Sequence, residues 1–113
     1  MNYSFGDVVL VGFPFTNLQA AKKRPAVIIH SQAYQDRPDV ILMAITSQVR
    51  EPLATGEALL QDWQAAGLAK PSVFKPLIAT LEKAQIVKRL GKLSAEDRKR
   101  LVGVLDSILG ARE

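Results

Sequence analysis

Cysteine is absent from this 113-residue chain, histidine occurs once, and aromatic residues make up only 6%. Without Cys there is neither a disulfide scaffold nor a zinc site built on thiolates. A single histidine, His30, excludes a paired-His ribonuclease, a Cys-His hydrolase and a His-rich metal centre. Long apolar runs are missing too. The longest, Val8 to Phe13 and Val40 to Ile45, fall far below the roughly 18 residues of a membrane span. Met1-Asn2-Tyr3-Ser4 has no basic stretch leading into an apolar one, so the expected location is cytoplasmic, away from membranes. Gly-rich phosphate loops of the Walker or dinucleotide type are absent. The acids Asp7, Asp36, Asp39, Glu51, Glu57, Asp62 and Glu82 are scattered, which speaks against a magnesium nuclease centre. No metal and no cofactor is expected.

The chain does contain enough apolar residues for a core, 48% against 23% charged. At this length roughly two-thirds of the unfolded surface is removed from water, which suits one domain spanning residues 1–113. There is no internal repeat, low-complexity tract or linker. Fifteen Lys and Arg against 11 Asp and Glu leave a net charge of +4. From Ser94 onward Arg98, Lys99, Arg100 and Arg112 are matched by Glu96, Asp97, Asp106 and Glu113, so the whole excess belongs to residues 1–93. A polyanionic partner is permitted, and its footprint lies on that part.

The order of elements is read from apolar patterning and turn residues. Val8 to Phe13 reads as a strand buried on both faces and closed by Pro14. Ala26 to Ile29 forms a second strand starting just after Pro25, and Val40 to Ile45 a third that ends in Thr46-Ser47-Gln48. Leu59, Leu60, Trp63 and Ala66 fall at helical spacing before Gly67, which predicts a short helix over 59–68 closed by the glycine. Val73-Phe74 is extended, with Pro76 marking an edge or a break before Leu77 to Leu81, and Ile86 to Leu90 is a further strand bounded by Gly91. Ser94 caps a terminal helix, with Asp97 three residues on as a short capping box. Its apolar stripe is Leu101, Val104, Leu105 and Ile108, joined by Val102 and Leu109, and Gly110 suits its end. The expected fold is a β-rich α+β domain, with the helix lying across a twisted antiparallel sheet or open barrel.

Cations and hydroxyls at strand ends are what remain for chemistry. In Lys22-Lys23-Arg24-Pro25 the proline biases Arg24 towards extended backbone at the mouth of a strand. There its planar fork can grip two phosphate oxygens, or the run is simply a solvated cationic loop. Thr46 and Ser47 either finish a strand or bind a substrate, and Lys70-Pro71-Ser72 is either a phosphate contact or a turn. Phe15, Tyr34 and Trp63 serve as base-stacking residues or as packing.

Taken in order, Gly6-Asp7-Val8-Val9-Leu10-Val11, Phe13-Pro14-Phe15-Thr16-Asn17 and Lys23-Arg24-Pro25-Ala26-Val27-Ile28-Ile29 resemble the opening of MazF/PemK-type toxins. Ala44-Ile45-Thr46-Ser47-Gln48, Lys70-Pro71-Ser72-Val73, Thr80-Leu81 and Leu90-Gly91-Lys92-Leu93-Ser94 continue the resemblance over nearly the whole chain. The resemblance implies an SH3-like antiparallel β-barrel with a C-terminal α-helix, a homodimer, and a sequence-selective, metal-independent endoribonuclease neutralised by a cognate antitoxin. It places the catalytic roles on Arg24 and Thr46, and Lys22, Lys23, Ser47, Gln48, Lys70 and Ser72 are the candidates for holding single-stranded RNA around them. Such chemistry needs neither histidine nor metal, because the RNA 2′-hydroxyl is itself the nucleophile. Asn17 stands where many relatives have Asp, and Ala79 where some have Arg before the Thr, which bears on the RNA sequence recognised. An antitoxin is expected to lay an acidic, partly disordered segment over the basic surface of residues 1–93. The alternative on the same fold is a CcdB-like toxin that grips gyrase without cutting RNA.

Overall fold

β-Branched runs separated by turn residues become six antiparallel strands of one sheet in the computed structural model, which describes residues 2–12, 23–111 and 113. The strands are β1 (Asp7–Gly12), β2 (Lys23–Ile28), β3 (Asp39–Thr46), β4 (Ala58–Leu59), β5 (Val73–Glu82) and β6 (Ile86–Lys92), followed by helix α1 (Ala95–Ile108). Their spatial order is β4-β5-β3-β2-β1-β6. Phe13 to Lys22, including Pro14 as the expected strand stop, lie outside the described residues.

Side chains alternate across a strand, so each central strand supplies two cores. Val9, Val11, Ala26, Ile28, Val40, Leu42 and Ala44 pack on one side with Tyr3 and Leu81. Apart from Tyr3, that cluster is drawn from strands alone, so the sheet curls over itself there. Val8, Val27, Met43, Ile45 and Phe74 fill the other side together with Leu101 and Val104 of α1. This two-sided burial explains why β1 and β3 read as nearly continuous apolar runs. The barrel stays open, since β4 and β6 are edge strands and do not pair with each other among the described residues.

Pro25 lies inside β2 rather than before it. It pairs in register with Leu10, while the β2–β3 partners begin only at Ala26, so its missing N–H interrupts no ladder on that side. Pro76 likewise does not break β5, which runs for 10 residues. It sits where the β3–β5 register shifts between Met43 and Ile45, and the two-residue β4 pairs only with Val73 and Phe74. A bulge therefore absorbs the proline. Gly91, expected as a boundary, falls within β6 and pairs with Val8.

Two helical expectations come out differently. Residues 59–68 form no helix: Leu59 joins β4, the Leu60 N–H bonds to the Ser72 carbonyl (2.9 Å), and only one turn remains around Trp63 to Gly67. That turn ends as the glycine foretold, with Leu68 N–H on the Trp63 carbonyl (3.1 Å), Gly67 N–H on the Gln64 carbonyl (3.0 Å) and Gly67 at φ +83°. At the start of α1, Ser94 Oγ accepts the Asp97 N–H (3.2 Å) as a cap should. The Asp97 carboxylate does not return to Ser94. It is fully buried and accepts the N–H groups of Gln61 (2.9 Å) and Asp62 (2.8 Å), so tertiary contacts claim it. Leu101 and Val104 are buried, but Val102 and Leu109 lie on the flank of the stripe, 48% and 51% exposed. The helix ends at Leu109 in extended backbone, without a left-handed Gly110.

Candidate functional site

Three strand ends converge on one rim. β2 begins at Lys23, β3 ends at Thr46 and β5 begins at Val73. Arg24 is paired with Val11 on its β1 side. On its other side the β2–β3 register runs Ala26↔Ala44, Val27↔Met43, Ile28↔Leu42; continued by two residues, it sets Arg24 across from Thr46, on the face that carries Ala26 and Ala44. Thr46 is in turn paired with Val73. Two residues 22 positions apart in sequence are thus brought to one place by register.

Arg24 is half-buried, and its Nε is buried with no hydrogen-bond partner among the described residues. Withdrawing a guanidinium N–H from water without an acceptor is costly, so this donor is poised for an anionic oxygen. Thr46 Oγ1 accepts the backbone N–H of Gln48 (3.1 Å), which fixes the oxygen and leaves the hydroxyl proton free to donate.

Two recesses flank the rim on opposite faces. The first, about 200 Å³, is lined by Thr46, Gln48, Arg50, Leu53, Glu57, Val73 and Lys75. The second, about 180 Å³, is lined by Pro25, Ser47, Leu68, Ala69, Lys70 and Ser72. Strand alternation accounts for the split, because Thr46 and Ser47 are neighbours and point to opposite sides. Of the expected RNA-binding residues, Gln48 joins Thr46 in the first recess, whereas Ser47, Lys70 and Ser72 line the second. Ser72 is buried and donates its hydroxyl to the Lys70 carbonyl (2.9 Å), so it shapes the turn. Lys23 is exposed at the start of β2, and Lys22 lies outside the described residues.

Arg50, Glu57 and Lys75 also line the first recess, although sequence reading had not singled them out. Lys75 follows two residues after Val73, but only the β3–β5 pairing reveals that Val73 faces Thr46. The rim is electrostatically open. Among the described residues the ion pairs engage Arg37, Arg89, Lys99 and Arg100, and none involves Lys23, Arg24, Arg50, Lys70 or Lys75.

Other polar groups lie away from the rim, among them His30, whose Nε2 is also buried without a hydrogen-bond partner among the described residues. His30 lies beyond the far end of β2, six residues from Arg24 and so about 20 Å along the strand direction. Its Nδ1 contacts the Ser31 carbonyl at 3.0 Å and its ring lies 5.3 Å from that of Tyr34. Tyr34 donates its hydroxyl to Asp39 (3.1 Å); loss of hydration, then that carboxylate, hold its phenol above the ordinary range. Trp63 packs against the helix-side core. Neither aromatic lines either recess, and Phe15 lies outside the described residues. Buried Asp7 pairs with Arg89 (3.1 Å), and no group of three metal-ligating side chains forms among the described residues.

Comparisons follow the same outline. The sequence model for PemK-like, MazF-like toxins of type II toxin-antitoxin systems matches residues 4–109. No curated protein matches the chain by sequence. A mycobacterial endoribonuclease, solved in complex with its cognate antitoxin, superposes with a TM-score of 0.78 at 17% identity, covering 98% of each chain. MazF from a Deinococcus radiodurans MazE-MazF structure gives 0.73 at 19% identity over 97% of both chains. Mycobacterium tuberculosis MazF-mt6 gives 0.69 at 19% identity over 89% of this chain and 94% of that one. At these identities the likeness is one of fold.

Proposed function

Because the chain belongs to the PemK-like, MazF-like toxins of type II toxin-antitoxin systems, we propose that it is a sequence-selective endoribonuclease that cuts single-stranded RNA without a metal ion. The observation that carries this reading is the buried Nε of Arg24, without a partner among the described residues, on the same rim as the oriented hydroxyl of Thr46.

The chemistry suits that pair. The 2′-oxygen attacks the adjacent phosphorus and the bond from phosphorus to the 5′-oxygen breaks, giving a 2′,3′-cyclic phosphate and a 5′-hydroxyl end. The 2′-hydroxyl proton leaves to solvent and the departing 5′-oxygen gains one. Arg24 stabilises the negative charge that builds on the non-bridging oxygens, and Thr46 donates a hydrogen bond to one of them. Arg24 acts as a fixed charge rather than an acid, since a guanidinium keeps its charge in proteins. Lys23 and Lys70, in no ion pair among the described residues, guide the flanking phosphates.

The solved neighbours include an endoribonuclease with its cognate antitoxin and a MazE-MazF assembly, which supports an antitoxin partner here as well. An acidic segment laid over the open cationic rim would neutralise it and compete with RNA. A homodimer is part of the same reading.

The test is cleavage of a long defined RNA by the wild type and by Arg24→Ala. The variant should fold and lose about 10²–10³ in rate, as when a preorganised charge stabiliser is removed. Undiminished cleavage by Arg24→Ala would overturn the assignment, and no RNA cleavage by the wild type, with gyrase bound instead, would favour the CcdB-like alternative.

A further inference from the structure

We infer that residues 60–72 are a strap through which Asp97, on α1, positions Lys70 in the rim's second recess to hold a backbone phosphate beside the one being cut; this deepens the endoribonuclease reading and rests on it. That recess is lined by Pro25, Ser47, Leu68, Ala69, Lys70 and Ser72. Pro25 and Ser47 directly follow Arg24 and Thr46 in sequence, so the recess adjoins the reacting phosphate on the other face of the strands. Its lining carries a cation and no carboxylate, and Lys70 forms no ion pair among the described residues. Such a lining suits the phosphate of a neighbouring nucleotide, whatever its base.

What holds Lys70 in place lies elsewhere in the fold. The Ser72 hydroxyl donates to the Lys70 carbonyl (2.9 Å), and the Ser72 carbonyl accepts the Leu60 N–H (2.9 Å), which ties the two ends of the segment together. The next two N–H groups, of Gln61 and Asp62, go to the buried Asp97 carboxylate at 2.9 and 2.8 Å. Gln61 Oε1 also accepts from Arg100 (2.9 Å). Further along, Ala66 and Gly67 lie against the backbone of β6. A Cβ at Gly67 would overlap the Leu90 carbonyl oxygen, and one at Gly91 would stand 2.7 Å from the carbonyl carbon and oxygen of Ala66. The segment therefore runs from edge strand β4 to edge strand β6 and covers by packing what strand pairing leaves open. Leu60, Trp63, Ala66 and Leu68 anchor it in the helix-side core. Lys70 sits three residues past Gly67 and two before Ser72, so its backbone stays in register only while both anchors hold. With either one loosened, RNA must order the lysine as it binds, at a cost in affinity.

The experiment measures binding of uncleavable 2′-O-methyl RNA across a salt series, with cleavage of matching unmodified RNA in parallel. Lys70→Ala should reduce the slope of log K against log salt by about 0.7, the contribution of one phosphate contact on a single strand. Asp97→Asn turns an amide donor towards one of the two strap N–H groups, and Gly91→Ala drives a methyl group against Ala66. Each should reduce the slope in part, and neither should reduce it further when combined with Lys70→Ala. Both should raise the RNA concentration needed for half-maximal cleavage, while single-turnover rates at saturating RNA stay within about twofold of wild type. In the wild type, hydrogen exchange at the Gln61 and Asp62 amides should slow by about fivefold on binding RNA, because coupling between sites is reciprocal. That readout needs no variant to fold. A slope untouched by Asp97→Asn and Gly91→Ala, a further fall on the Lys70→Ala background, or unchanged exchange overturns the strap. Strap-dependent binding without cleavage of the unmodified RNA would instead overturn the endoribonuclease reading and leave the strap standing.

Discussion

The hydroxyl oxygen of Thr46 accepts the backbone N–H of Gln48 at 3.1 Å. The bond turns a strand-end threonine into an oriented donor, because the oxygen is fixed while the proton is free. Thr46→Ser keeps that arrangement and should retain most cleavage. Thr46→Val removes the donor and should cost about 1.5–3 kcal/mol of transition-state stabilisation, the usual worth of a hydrogen bond to a charged group. Single-turnover rates on one RNA would check both; equal rates for Val and Ser would refute the role.

Arg24 carries a cost in the free protein, since its buried Nε has no partner among the described residues. Removing it should therefore not destabilise the fold. Thermal unfolding of Arg24→Ala is expected at or above the wild-type midpoint even as cleavage collapses. Arg24→Lys keeps the charge and loses the planar fork, so its rate should fall between the two. A large drop in midpoint for Arg24→Ala would mark the residue as structural.

Asp97 bridges α1 to the turn at Gln61 and Asp62 through two backbone N–H groups, at 2.9 and 2.8 Å. Asp97→Ala strands both donors, each costing about 1–3 kcal/mol, so urea unfolding should show a loss of about 2–6 kcal/mol. Asp97→Asn retains one acceptor oxygen and should lose less. An Ala variant within about 0.5 kcal/mol of wild type would contradict this view of the helix start.

Two glycines should respond in opposite directions to alanine. Gly67 adopts φ +83° and a Cβ there would stand 2.1 Å from the Leu90 carbonyl oxygen, so Gly67→Ala destabilises. Gly103, inside α1, has nothing within 4 Å of its would-be Cβ, and Gly103→Ala should stabilise by roughly 0.5–1 kcal/mol. Paired denaturation curves decide both signs.

Most strands were legible in the sequence because two-sided burial leaves continuous apolar runs such as Val40 to Ile45. Ser94 and Gly67 were legible as caps for local reasons, since capping depends on residues three or four apart. The helix expected over 59–68 failed through long-range competition: β5 takes Leu59, and Asp97 takes the N–H groups a helix there would have begun with. The site shows the same division. Arg24 before its proline and Thr46 at a strand end announce themselves, but Glu57, Arg50 and Lys75 become neighbours of Thr46 only through the β3–β5 pairing and the loop that follows β3. Whether Ser47 shares a recess with Thr46 is likewise a matter of facing, and it does not.

The central claim is that Arg24 and Thr46 promote attack by the RNA's own 2′-hydroxyl. Cleavage of a long defined RNA in EDTA, with the chemistry of both new ends read at each cut, tests it most directly. The account predicts undiminished cutting at a restricted set of sites, leaving 2′,3′-cyclic phosphates and 5′-hydroxyls. Ends bearing 3′-hydroxyls and 5′-phosphates, or cutting abolished by EDTA, would contradict it.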